Sequence, residues 1–289
     1  MKEIVKEKIA SLLSGDEEIQ SVEQLGGMTN QNYLVQTSSN QYIVKFFGKG
    51  TEKLIDRQNE KFNIELLKDL KLDVENYLFD IEAGIKVNQY IENAETLNLD
   101  TIKTRFEKIA PILQTIHASG KELKGEFAPF EEIKKYESLI QGEIYYPNYE
   151  AVRKSVFSLK KELEQIGIEK KSCHIDLVPE NFIEGPDGHL YLIDWEYSSM
   201  NDPMWDLAAL FLESEFTTDQ EDSFLSYYES EQTPVSREKI RIYKILQDII
   251  WSLWTIYKEE NGADFGDYGI TRYNRAVKEL QSQGGIDED

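Results

Sequence analysis

Polar and apolar residues alternate in two short stretches near the N-terminus. Asn32 to Thr37 and Gln41 to Phe47 are β-rich, and Ser38-Ser39-Asn40 between them reads as a turn, so together they predict a hairpin. Centring that hairpin on Ser39 sets Lys45 opposite Tyr33, with Val44 and Phe46 on the other side of the strand. Tyr77 to Glu82 and Ile85 to Ile91 predict a second pair about Ala83-Gly84. Between the pairs the period lengthens, and Leu54, Phe62, Leu66, Leu67 and Leu70 recur at helical spacing over Glu52 to Leu70. The opening MKEIVKEKIASLL mixes Lys and Glu with apolar residues at the same spacing. It predicts an amphipathic helix and not a signal peptide. From Leu99 onward helical spacing dominates, over roughly 99–118, 129–141, 149–166, 203–215, 218–230, 236–258 and 270–283. One β interruption stands in the middle: Asn181 to Asp194 reads as two apolar strands about Gly-Pro-Asp-Gly. The outline is an α+β chain with a small β-rich N-terminal lobe over 1–88, a connection at 89–91 and a large, mainly helical lobe over 92–289.

Composition narrows the function. In 289 residues, 54 Asp+Glu stand against 32 Lys+Arg, a net charge of −22. Such a surface repels phosphate backbones and anionic lipid, so neither nucleic acid nor membrane is expected as a partner, whereas cationic small molecules are attracted. No uncharged apolar run is long enough to span a bilayer. Cys173 is the single cysteine, so no intrachain disulfide forms, which fits a reducing cytoplasm. With three histidines and one cysteine, a His/Cys zinc site is not expected. The acidic tail Gly284 to Asp289 is expected to fray.

The candidate chemistry gathers around the central hairpin. The midpoint of 181 and 194 coincides with the turn centre, 187.5, so Asn181 and Asp194 are expected opposite each other at its open end. Asp176 lies five residues before Asn181 on a proline-containing loop arriving at the same place. Two acids and an amide oxygen converging there suit Mg²⁺, a hard cation completed by a bound polyphosphate, and so suggest phosphoryl transfer. Taken singly, each residue is equally a turn cap, a strand start or a strand end. The combined spacing is what argues for chemistry.

His174-Ile175-Asp176, then Asn181, then Ile193-Asp194-Trp195 resembles the catalytic segment of the protein-kinase-like superfamily. The missing Arg after His174 and the absence of an APE-type motif separate the chain from protein kinases. The run from Ile193 through Glu196-Tyr197-Ser198 to Asp206-Leu207 resembles the choline/ethanolamine kinase family of the aminoglycoside phosphotransferase superfamily, nearest to its bacterial LicA-type members, over roughly residues 20–260. The resemblance implies a bilobal protein-kinase-like fold and an ATP- and Mg²⁺-dependent kinase for the hydroxyl of choline. It implies Asp176 as catalytic base, with Asn181 and Asp194 as Mg²⁺ ligands. His174 is expected to support the loop through backbone hydrogen bonds. Asp206 either braces that loop or simply sits at a helix N-terminus.

On the nucleotide side, Gly26-Gly27 ahead of Thr29, Asn30 and Asn32 resembles the shortened phosphate loop of choline kinases, the small residues allowing close approach and the polar ones offering donors. Lys45 is either a solvated strand lysine or the phosphate lysine held by Glu60 of the following helix. Gln89, Tyr90 and Ile91 are expected as the hinge whose backbone meets adenine. On the acceptor side, Trp251 and Trp254 share a helix face, which suits a packed core stripe as well as a wall for a cation. The resemblance assigns them, with Tyr197 and Glu213, to the choline pocket. His117 at a helix end is expected to be structural. The competing acceptors are ethanolamine, an aminoglycoside or a thiamine-like alcohol. The non-enzyme alternative is a nucleotide-binding pseudokinase, which would ordinarily lose Asp176, Asn181 or Asp194.

Overall fold

The computed structural model describes residues 2–9, 13, 17–27, 30–48 and 50–282. In chain order the elements begin α1 (Lys2–Ile9), β1 (Ile19–Gln24), β2 (Gln31–Thr37), β3 (Gln41–Phe46), α2 (Arg57–Leu67), β4 (Asn76–Asp80), β5 (Ile85–Gln89) and β6 (Glu95–Thr96). They continue with α3 (Phe106–His117), α4 (Pro129–Leu139), α5 (Tyr149–Ile166), β7 (Lys171–Cys173), β8 (Phe182–Glu184), β9 (Leu190–Leu192) and β10 (Ser199–Asn201). The last are α6 (Pro203–Glu213), α7 (Thr218–Tyr228), α8 (Arg237–Glu260) and α9 (Tyr268–Ser282). The acidic tail, Gly284 to Asp289, lies outside the described residues, as do Met28 and Thr29 of the glycine-rich loop.

Packing divides the chain into two compact units: Met1–Thr101 with Pro179–Tyr197, and Ile102–Val178 with Ser198–Asp289. A division by chain order at 89–91 differs from this because residues 92–101 and the central hairpin pack with the first unit. There β6 pairs with β8, which pairs with β9.

The first unit is built on an antiparallel sheet in the order β1-β2-β3-β5-β4. Its alternation puts Tyr33, Val35, Tyr42, Val44, Ile85 and Val87 in one cluster, covered by Val5 and Ile9 of α1. The opposite alternation leaves Lys45 on the other face. Because β5 pairs with β3 and sets Lys86 opposite Lys45, that face carries two neighbouring lysines. Asp56 opens α2 by accepting from the Gln58 and Asn59 amides.

Two registers differ from expectation by one residue. Lys45 stands opposite Asn32 and not Tyr33. The Thr37 amide and hydroxyl both bond Asn40, which draws Asn40 out of the turn and leaves only Ser38-Ser39 in the loop. In the central hairpin Phe182 pairs with Leu192, so Asn181 faces Ile193, whose amide donates to the Asn181 carbonyl at 2.8 Å. Asn181 and Asp194 are therefore not directly opposite. Gly185 donates to His189, and Gly188 at φ 79 absorbs one extra residue, giving a three-residue loop.

The second unit is helical apart from the β7–β10 pair. Its axis is α8, buried on all sides from Ile242 to Tyr257 except at Lys244, and packed against α4, α5, α6 and α9.

Candidate active site

In the first unit the sequence places a buried lysine on β3, and the structure gives it an acid. Lys45 Nζ lies 2.6 Å from Asp194 Oδ1. Burial alone would lower its proton affinity, but Asp194 and Glu196 outweigh burial and hold Lys45 firmly charged. Glu60 is not its direct partner. Glu60 Oε1 takes Lys86 at 3.0 Å and Oε2 takes Arg57 at 2.6 Å. Against the upward push of burial, Lys86 and Arg57 hold its carboxyl low. Lys86 was hidden from sequence reading because nothing local says that β5 pairs with β3.

Glu196 extends this network. Its Oε2 accepts from Asn30 Nδ2 at 2.7 Å and Arg57 Nη1 at 2.9 Å, while Arg57 stacks over Phe47 at 4.1 Å. Asn30 also accepts from Gly48 and Arg57. Its side chain is thus committed to holding the loop, and Asn32 Nδ2 is committed to the Gly26 carbonyl at 2.9 Å. Each of these amide nitrogens has one of its two N–H groups engaged in this way. Of the two glycines only Gly27 is sterically required: a Cβ there would collide with the Asn30 carbonyl oxygen, whereas Gly26 has open space. Thr29 lies outside the described residues. In the 89–91 connection the Gln89 amide donates to the Glu75 carbonyl at 2.8 Å.

Asp194 follows β9 in the left-handed region, at φ 68, where a non-glycine residue is strained. This turns the chain out of the strand just where its carboxylate meets Lys45. That side chain keeps 25% exposure, so the carboxylate remains reachable. Asn181 ends the short turn Pro179–Asn181 just before β8 and is buried. A carboxylate and an amide oxygen are hard donors that fit Mg²⁺. Tyr197 lies in this unit on the short turn Trp195–Tyr197 and is buried. Trp195 belongs to the core, its indole donating to the Leu192 carbonyl at 2.8 Å.

In the second unit Asp176 stands on the loop after β7, partly exposed. The residues before it are clamped. Asp206 accepts from the His174 and Ile175 amides at 2.8 Å each, and Trp205 Nε1 donates to the Ile175 carbonyl at 3.0 Å. Ile175 sits at φ 79, a severe conformation for a β-branched residue, and these bonds hold it there. Asp206 is therefore a brace, since Asp202 is the residue that caps α6 through Met204. His117 supports the brace: its Nε2 lies 3.1 Å from Asp206 and its Nδ1 lies 2.7 Å from the Tyr228 hydroxyl.

Trp251 and Trp254 meet on α8 with ring planes at 89° and centroids 6.4 Å apart. Both are nearly buried. Trp251 backs onto Phe127, and Trp254 continues to Phe265 at 4.9 Å and thence to Tyr268. Lys258 Nζ lies 5.7 Å from the Trp254 centroid, so one face of that ring already meets a cation. Glu213, at the end of α6, pairs with Arg272 of α9 at 2.6 Å. Burial raises the Tyr268 hydroxyl; Arg272 opposes, and Glu213, Asp176 and Asp248 add to the rise, so all four charges are felt at that oxygen. Phe265, Tyr268, Arg272 and Asp248 escaped the sequence reading. The one available signal was the i, i+4 spacing of Tyr268 and Arg272 on α9.

Protein LicA of Haemophilus influenzae is 30% identical over 268 residues, covering 89% of this chain and 79% of that protein. The solved structure of choline kinase LicA from Streptococcus pneumoniae matches with TM-score 0.94 at 75% identity, over 98% of this chain and 99% of that one. A structure of LicA in complex with AMP matches with TM-score 0.92 at 76% identity, over 97% and 98%. The fold is protein-kinase-like, as the His174 to Trp195 segment implied. Residues 22–239 match the choline/ethanolamine kinase family profile, and the chain belongs to that family.

Proposed function

We propose that this chain transfers the γ-phosphoryl group of ATP to the hydroxyl of choline, giving phosphocholine and ADP. The observation that carries this reading is the wall of Trp251, Trp254, Phe265 and Tyr268 in the unit that also holds Glu213 and Asp176. A quaternary ammonium has no N–H to donate, so ring faces and a nearby carboxylate are the means of holding it. Likeness to a choline kinase at 75% identity supports the same acceptor.

In this reading residues 1–88 are the nucleotide lobe, 89–91 the hinge and 92–289 the catalytic lobe. Asp176 orients the choline hydroxyl and takes its proton. Lys45 carries the charge directed at the ATP phosphates, with Glu60 adding to the negative field that keeps it protonated. Gly26 and Gly27 let the backbone approach the phosphates, Asn30 and Asn32 hold that loop in shape, and Thr29 adds a hydroxyl. Tyr90 and Ile91, with Gln89 pinned beside them, meet adenine. Asn181 and Asp194 would hold Mg²⁺, which when bound would supply positive charge beside the phosphates. Tyr197 adds a further ring to the acceptor side. Retention of Asp176, Asn181 and Asp194 together argues against a pseudokinase. Among the described residues no helix is long and apolar enough to cross a membrane, and a cytoplasmic enzyme acting on a small molecule is in keeping with that.

The test is ATP consumption against choline, ethanolamine, an aminoglycoside and a thiamine-like alcohol. Choline is expected to give the highest kcat/KM. A higher value for ethanolamine, or no ATP consumption with any of them, overturns the assignment.

A further inference from the structure

A cationic residue beside a site for a cationic substrate is electrostatically adverse, so the burial of Arg272 next to Glu213 needs a reason. Arg272 is 4% exposed. Neutralising Asp248 is not sufficient reason. Arg275 already grips that carboxylate with two bonds of 2.6 Å, whereas Arg272 Nε is 3.3 Å away. The short contacts of Arg272 are elsewhere. Its Nη1 lies 2.6 Å from Glu213 Oε1 and donates to the Tyr268 hydroxyl at 2.9 Å, with the guanidinium 5.1 Å from the Tyr268 ring centroid. Through this one nitrogen the guanidinium ties the carboxylate of the acceptor side to the Tyr268 hydroxyl, while its planar group lies over an aromatic ring of the same wall, a stacking that a lysine ammonium does not reproduce.

This arrangement has a consequence for substrate choice. With Oε1 paired to Arg272, part of the charge and part of the accepting capacity of Glu213 are already engaged. A primary ammonium leaving water must find acceptors for three N–H groups, and each one left unpaired is costly. A quaternary ammonium has none to satisfy. A site whose carboxylate is already engaged therefore penalises the primary amine more. We infer that Arg272 is a positioning residue which, by engaging Glu213 and Tyr268 together, sets the preference for a quaternary over a primary ammonium. The inference rests on the proposed choline site and goes beyond it by naming what makes the site selective.

The experiment measures kcat and KM for choline and ethanolamine, KM for ATP, and Tm, in the parent protein and in Arg272→Lys and Arg272→Gln. Lysine keeps the buried charge but lacks the planar group that lies over the Tyr268 ring. In the Gln variant Arg275 still pairs Asp248. The expected result in both is a fall of about fivefold or more in the choline-to-ethanolamine ratio of kcat/KM. The change should lie mainly in KM for the two alcohols, with KM for ATP unmoved. If Arg272→Lys keeps the parent ratio, Arg272 is only a charge filler and the inference is overturned. Equal loss for both substrates with a lowered Tm marks a purely structural role and overturns it too. Absence of choline turnover in the parent is a separate result. It overturns the choline reading itself and removes the inference with it.

Discussion

Single side chains decide the chemistry. Asp176→Asn keeps the shape of the base and removes its charge, so turnover is expected to drop to a few per cent or less, roughly the 10²–10⁴-fold attributed to general-base catalysis. ATP binding should be nearly unchanged, since the role proposed for Asp176 is at the acceptor hydroxyl. Single-turnover kinetics with parallel nucleotide titration check this, and a variant keeping most of its kcat contradicts the base assignment. Asp73 allows a second prediction at this scale. Burial, which Lys86 and the Val74 amide only partly offset, raises its carboxyl from 3.8 to about 7. The folded state then holds a proton that the unfolded state releases. Asp73 therefore costs stability as pH climbs from about 4 to about 7, and the cost persists above that range. Asp73→Asn should flatten that slope and stabilise the protein at pH 8 relative to pH 5. Urea midpoints at both pH values give the comparison, and an identical slope in variant and parent counts against it.

At the level of elements, turns and helix faces set where those side chains stand. Gly188, at φ 79, permits the three-residue loop and hence the offset of Asn181 from Asp194. Gly188→Ala forces a side chain into the left-handed region at roughly 1–2 kcal/mol. A lowered denaturation midpoint with reduced kcat is expected. A variant as stable as the parent would show that the loop tolerates another turn. On α8, Trp254→Ala is expected to raise KM for choline about five- to thirtyfold, reflecting roughly 1–2 kcal/mol of cation–π and burial energy. KM for ATP should be little affected. A pure core role predicts a stability loss of ~3–5 kcal/mol with normal choline KM in the folded fraction, so Tm and KM measured on one sample separate the two.

For the whole molecule, a net charge of −22 predicts a stability that depends on salt. Self-repulsion acts over about 30 Å at 10 mM salt and about 8 Å at physiological ionic strength, so Tm should rise between those conditions. A Tm that falls would mean that attractive pairs such as Arg153 with Glu137 outweigh the net charge. What the sequence determined by itself was whatever depends on local period and fixed spacing. The helix over Tyr149–Ile166 and the central hairpin were legible because side-chain periodicity and turn chemistry are properties of one segment, and the family resemblance was legible in the spacing of Asp176, Asn181 and Asp194 for the same reason. The strands β1, β7 and β10 were not singled out; the last two are three-residue strands that form only because a distant partner completes them. Tertiary structure alone decided the pairing of charges. Lys45 chose Asp194, and Glu60 chose Lys86, because sheet order brought β5 beside β3 and carried the central hairpin back to the first unit. Arg272 reached Glu213 in the same way, across 59 residues of chain, when α9 packed beside α8. Ion pairs between buried groups depend on which surfaces leave water together, and no local pattern records that.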